Sequence, residues 1–88
     1  MKIDIRNSFL KDLKKIIDPT LKEQVEQAIL SVKKAETLSD IPNLKKLRGY
    51  RIFYRIKIGD YRTGVMIENN LVTFFVFMHR KDIYKFFP

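Results

Sequence analysis

Between Tyr50 and Tyr84 the chain places Arg55, Lys57, Arg62, His79, Arg80 and Tyr84 on what read as short, tightly connected strands and a C-terminal tail. Cations interleaved with an aromatic suit a surface that holds a polyanion. They also suit one reaction. The 2′-hydroxyl of RNA can attack its own adjacent phosphate, and a catalyst then needs three things: a base for the hydroxyl, cations for the pentacoordinate phosphate, and an acid for the departing 5′-oxygen. Free lysine and arginine are poor bases, but crowded cations disfavour each other's protonation and so lower a lysine pKa. Lys57 is so placed if its strand pairs as the pattern predicts, flanked by Arg55 and across a hairpin from Arg62. His79 is an alternative acid or base because imidazole titrates near neutrality. Each residue also has a plain structural reading. A basic strand face is commonly just solvated, a single histidine at a strand end commonly a hydrogen-bonder, and a tail tyrosine commonly packs on the core.

Other chemistries are excluded by what the chain lacks. It has one histidine and no cysteine, which leaves no zinc cluster and no disulfide. Its three glycines, Gly49, Gly59 and Gly64, form no phosphate-cradling loop. No carboxylate pair suggests a two-metal nuclease, and Ser8, Ser31 and Ser39 have no triad partners. The expectation is a site without metal or cofactor. Eighteen Lys and Arg against ten Asp and Glu give a net charge of +8, which predicts attraction to nucleic acid, anionic lipid or an acidic protein. No apolar run approaches the ~20 residues of a bilayer span, and the N-terminus lacks a signal-peptide core. The absence of cysteine fits a reducing cytoplasm.

The elements that position these residues follow from periodicity. The 88 residues suffice for one domain, residues 1–88, with a thin core. Lys2 to Arg6 reads as a short strand with Ile3 and Ile5 on one face. Asn7 or Ser8 is the expected cap of a first helix whose stripe is Phe9, Leu10, Leu13, Ile16 and Ile17, with Lys11, Asp12, Lys14 and Lys15 outward. Asp18-Pro19 ends it. Thr20 to Glu23 reads as a capping box that opens a second helix, with Leu21, Val25, Ala28, Ile29 and Val32 inward. Thr37 to Asn43 is a loop, and Leu44 to Gly49 a basic segment with two leucine anchors. Tyr50 to Ile58 alternates, with Arg55 and Lys57 on its polar face. Gly59-Asp60 and Glu68-Asn69-Asn70 are hairpin turns. Leu71 to Met78 is almost continuously apolar, as a strand covered on both faces should be. His79 to Pro88 is a short helix or tail. The expected architecture is α+β: an N-terminal strand and a helical hairpin packed on one face of a small twisted antiparallel sheet, with basic residues on the other.

Leu47-Arg48-Gly49, the run from Tyr54 to Arg62, and His79-Arg80-Lys81-Asp82-Ile83-Tyr84 together resemble the RelE/ParE superfamily of bacterial and archaeal toxins. The order of elements matches, so the resemblance covers essentially the whole chain. It implies a metal-independent messenger RNA endonuclease of the RelE branch, acting in the ribosomal A site and inhibiting translation. Carried over, Lys57 becomes the candidate base, and Arg55 and Arg62 become phosphate ligands. Arg80 would be an acid or charge stabiliser, and Tyr84 would stack on or orient a base. Lys45, Lys46, Arg48, Arg51 and Lys81 would contact RNA or ribosome. Arg55 stands where the best-known ribonuclease members have lysine; it keeps the charge but cannot titrate. The resemblance further implies a small acidic antitoxin that covers the basic face, so that the toxin is a monomer alone and a hetero-oligomer in complex. Phe86 and Phe87 are expected to pack on the core or to dock that partner. The other branch, ParE-like inhibitors of DNA gyrase, shares the fold and is the alternative reading, beside a non-catalytic relative. Fold by itself does not decide between them.

Overall fold

The computed structural model describes residues 1–88. In chain order the elements are β1 (Lys2–Ile5), α1 (Asn7–Lys14), α2 (Pro19–Lys34), a 3-10 turn (Leu38–Asp40), β2 (Leu44–Lys46), β3 (Phe53–Ile58), β4 (Tyr61–Glu68), β5 (Leu71–His79) and α3 (Ile83–Phe86). The five strands form one sheet in the order β1-β5-β4-β3-β2. No helix is long and apolar enough to cross a membrane.

Strands β2 to β5 are an antiparallel meander, and β1 joins β5 in parallel, so the sheet is mixed rather than purely antiparallel. Two features of the sheet escape the periodicity reading. The basic segment after the loop is itself an edge strand, β2, and β3 begins at Phe53 rather than Tyr50. Three residues are too few to show a period, so β2 exists because β3 offers it a ladder. The turns behave as their residues predict. Gly59 has φ +59 at the first position of the β3–β4 hairpin, and Asn69 and Asn70 have φ 51 and 63 between β4 and β5. Glycine and asparagine are the residues that tolerate this left-handed backbone.

Both helices lie on one sheet face. Phe9 and Leu13 from α1, Ile16 just beyond it, and Leu21, Val25, Ala28, Ile29 and Val32 from α2 meet Ile56, Ile58, Val65, Ile67, Val72, Phe74 and Phe77. The Phe9 ring stands edge-on to Phe74 and Phe77 at 5.4 and 6.2 Å, the arrangement aromatic quadrupoles favour. The expected stripe of the first helix narrows, however. Leu10 is exposed on α1 itself, and Ile17 is 91% exposed because α1 stops at Lys14, before a full third turn could carry Ile17 inward.

The helix starts differ from the sequence expectation in an instructive way. Neither Asn7 nor Ser8 caps α1: Arg6 holds the cap position without a side-chain bond. The Ser8 hydroxyl instead donates to the Phe75 carbonyl. Asp12, expected to face out, accepts from the Phe77 amide at 3.0 Å. Strand β1 ends opposite Phe74, so the β5 edge beyond it lacks a ladder partner, and α1 satisfies that edge with its side chains. For α2 the cap is Asp18, whose carboxylate accepts from Thr20 N at 2.9 Å, with Pro19 at the first helical position. Proline there has no amide to leave unsatisfied, which moves the start upstream of the Thr20 to Glu23 box.

A second, smaller cluster covers part of the opposite face. Leu47, Ile83 and Phe87 are buried there against Phe53, Phe75, Val76 and Met78. Of the two terminal phenylalanines, Phe87 packs into this cluster and Phe86 is 65% exposed. A register shift between Gly64 and Val65 leaves Phe75 as the extra residue of β5. Phe75 and the next residue, Val76, therefore face the same cluster, while Phe74 and Phe77 both reach the main core.

Candidate active site

The outer face of the sheet is built in rows. Because Ile56 and Ile58 point into the core, Arg55 and Lys57 point away from it. Lys57 lies directly across from Arg62, and Arg62 in turn from Met78. One row further along, Lys45, Arg55, Gly64 and Val76 lie side by side on β2, β3, β4 and β5. Directly opposite residues on one face hold their Cβ atoms about 4.5–5.5 Å apart. Cations on adjacent strands therefore share one small patch.

Each guanidinium in these rows has a backbone hold. Arg62 Nη1 donates to the carbonyls of Gly59 and Tyr61 at 2.9 and 2.8 Å, which folds the side chain over the hairpin turn. Arg55 Nη1 donates to the Asn43 carbonyl at 3.0 Å, and the same carbonyl accepts from Lys57 N at 3.2 Å. Asn43 has φ 63, so a left-handed turn after Pro42 aims that carbonyl at β3. Arg55 Nε is buried without a partner. Arg80 is exposed, and its amide donates to the Asp60 carbonyl at 2.8 Å, which brings it to the same hairpin end as Lys57 and Arg62.

Tyr84 belongs to a second group. It lines an open groove of about 780 Å³ with Lys45, Lys46, Leu47, Arg48, Gly49, Tyr50 and Arg51. All four of these cations are exposed. The candidate residues thus form two adjoining sets: Lys57, Arg62 and Arg80 at the hairpin end, and Tyr84 with the four cations of the β2 segment. Arg55, opposite Lys45, links them. Lys81 is exposed in the turn after β5.

His79 stands apart. It pairs with Tyr61, its ring is edge-on to the Tyr61 ring at 5.4 Å, and Nδ1 accepts from Lys81 N at 3.2 Å. Tyr61 packs on the helix side of the sheet, so His79 faces away from Lys57 and Arg62. It borders a separate cavity of about 410 Å³ with Asp12, Lys15 and Phe86. A strand count through Leu71 to His79 misplaces the histidine unless the extra residue at Phe75 is known. No cluster of His, Asp or Glu is arranged to hold a metal ion. Two contacts were not anticipated: the Asn43 carbonyl with Arg55 and Lys57 in the site, and, away from it, the Arg6 guanidinium 5.6 Å from the Phe75 ring centroid. Pro42-Asn43 was the only hint of the first, as a turn signal.

Known proteins resemble this chain in sequence and in fold. Residues 3–84 match the family model described as the ParE toxin of the type II toxin-antitoxin system parDE. The chain is 33% identical to Toxin RelE3 of Methanocaldococcus jannaschii over an alignment of 89 positions that covers all of both chains. The toxin fold also superposes on a chain of the RelB-RelE antitoxin-toxin complex from Methanococcus jannaschii. That match has a TM-score of 0.80 and 29% identity, covering 97% of this chain and 99% of the other. The isolated RelE toxin of E. coli shows the same fold at 21% identity, with a TM-score of 0.68 and coverage of 96% and 90%. With a family model spanning nearly the whole chain and a full-length relative on the RelE side, this chain belongs to the RelE/ParE superfamily of type II toxin-antitoxin toxins and is RelE-like.

Proposed function

We propose that this toxin is a metal-independent, ribosome-dependent endonuclease that cuts messenger RNA in the A site and so stops translation. The observation that carries the reading is the outer-face array: Lys57 directly opposite Arg62, with Arg55 beside them and Arg80 tied to the same hairpin. In this scheme Lys57 takes the proton of the 2′-hydroxyl. The freed oxygen attacks the adjacent phosphorus, the bond from phosphorus to the 5′-oxygen breaks, and a 2′,3′-cyclic phosphate remains. Arg55, Arg62 and Arg80 hold the phosphoryl oxygens as negative charge builds on them. Arginine stays charged throughout, so Arg80 acts as a stabiliser and the 5′-oxygen takes its proton from water. Tyr84 stacks on an unstacked base in the basic groove. The ribosome presents the strand; this chain supplies the cations. An acidic antitoxin segment would hold the toxin inactive in the cytoplasm by covering the same cations.

The test is translation of a defined messenger by purified ribosomes with this protein added, mapping new 5′ ends by primer extension. Cuts inside A-site codons, absent when free RNA replaces the ribosome complex, are the expected result. Lys57→Ala with Arg62→Ala should lower cutting by at least about 10²-fold, as losing one oxyanion donor does elsewhere, with the circular dichroism spectrum unchanged. Full activity in that double variant would refute the site assignment. The match to a model named for ParE keeps inhibition of DNA gyrase as a second reading. A supercoiling assay separates the two: intact message with inhibited gyrase would replace the first with the second.

A further inference from the structure

Tyr84 is 61% exposed and sits on α3, a helix of four residues. A helix that short has no stability of its own. Its backbone bonds are few: Lys85 N to the Asp82 carbonyl and Phe87 N to the Ile83 carbonyl. What holds it is a pair of side chains one turn apart that bracket Tyr84. Ile83 is fully buried and Phe87 is 7% exposed, both in the outer-face cluster.

Phe87 has a seat made for it. A Cβ built on Gly64 would lie 2.5, 2.6 and 2.7 Å from three atoms of the Phe87 ring. The glycines with positive φ are Gly49 and Gly59, so Gly64 is not needed for backbone conformation. Glycine inside a central strand weakens it and commonly marks a bulge or a close approach to the backbone. The bulge beside Gly64 places its extra residue, Phe75, on β5, so the glycine itself answers to a close neighbour. Here that is the Phe87 ring, which is also edge-on to Phe53 at 5.5 Å and tilted against Phe75 at 6.2 Å. Gly64 lies directly across from Arg55. The third buried member of the cluster is Leu47, which sits in the middle of the basic segment that forms the groove's other wall. One cluster therefore anchors both walls, the cations on one side and Tyr84 on the other.

We infer that Phe87, seated in the recess left by Gly64, is a positioning residue that sets Tyr84 against the Lys45–Arg51 wall and so gives the groove its width for a stacked base. The inference rests on the endonuclease reading for its activity arm, but not for its spectroscopic arm. The protein is labelled with 3-fluorotyrosine, and the Tyr84 fluorine resonance is assigned by its loss in Tyr84→Phe. Phe87→Ala and Gly64→Ala should each shift and narrow that resonance. Each should also lower cutting of ribosome-bound message by about 5- to 150-fold, the range for one lost base stack. Phe87→Leu should recover most of the loss. Gly64→Ala should cost nothing further in Phe87→Ala, because the added methyl then has room. Phe87→Ala should cost nothing further in Tyr84→Ala.

A Gly64→Ala protein with wild-type resonance and wild-type cutting would overturn the inference. So would a Phe87→Ala loss that persists when Tyr84 is already alanine, since Phe87 would then act through stability alone. If Gly64→Ala does not fold, Phe87→Ala and Phe87→Leu carry the same comparison. If the wild-type protein cuts no message, the endonuclease reading falls, and the fluorine resonance decides the positioning role by itself.

Discussion

Replacing Lys45 and Arg51 by alanine should halve the salt dependence of RNA binding, although it removes only two of the eight net positive charges. Four cations line the Tyr84 groove: Lys45, Lys46, Arg48 and Arg51. A single strand that neutralises four phosphates there releases their counterions, which gives log K against log salt a slope of about −2.8. Between 50 and 200 mM salt the wild-type affinity should fall by about 50-fold, and that of the double variant, with a slope of about −1.4, by only about 7-fold. The assay is fluorescence anisotropy of a fluorescein-labelled single-stranded oligonucleotide titrated at four salt concentrations. The control is Lys33→Ala with Lys34→Ala. These lysines close α2, on the other side of the sheet, and are exposed, so the same net charge is removed away from the groove. Its slope should match wild type. If both double variants flatten the slope equally, the binding is a diffuse response to net charge, and the groove has no special part in it.

Three further outcomes follow from the fold. Asp12→Ala should lower stability by about 1–3 kcal/mol, since the buried Phe77 amide loses its acceptor at a point where β1 no longer reaches; urea unfolding reads this directly. Phe9→Ala should cost about 3–5 kcal/mol by the same measurement, because the ring fills the junction of α1 with β5. The Asp40 carboxyl is held below its ordinary pKa, first by the Thr37 amide and then by the Glu36 amide, which donate to Oδ2 at 3.0 and 3.1 Å. A depressed carboxyl pKa stabilises the fold above the unfolded value near 3.8 and loses that effect as pH falls through the lower folded value. Asp40→Asn should therefore be less stable than wild type at pH 6 and converge with it in acid; a gap that widens on acidification would contradict the assignment.

Much of this protein is legible along the chain because it is local. The inward stripe of α2, the Gly59-Asp60 and Asn69-Asn70 turns, and the facing of Lys57 with Arg62 follow from side-chain period and turn chemistry alone. A hairpin fixes its own register, so two cations counted outward from its turn are neighbours before any tertiary contact exists. The excess of cations and the order of motifs were likewise enough to point to the toxin family.

Tertiary structure decided what local period cannot carry. Only the extra residue at Phe75 sends His79 to the helix side, away from Lys57. Only the fold of the loop before β2 sets the Asn43 carbonyl against Arg55. Strand β1 pairs with β5 across some seventy residues of chain, and α1 spends Ser8 and Asp12 on that strand's open edge instead of on its own end. Phe87 and Gly64 are twenty-three positions apart, and neither is informative alone. A recess and the ring that fills it are defined only together, because close packing is a relation between surfaces that the chain brings into contact after its elements have formed.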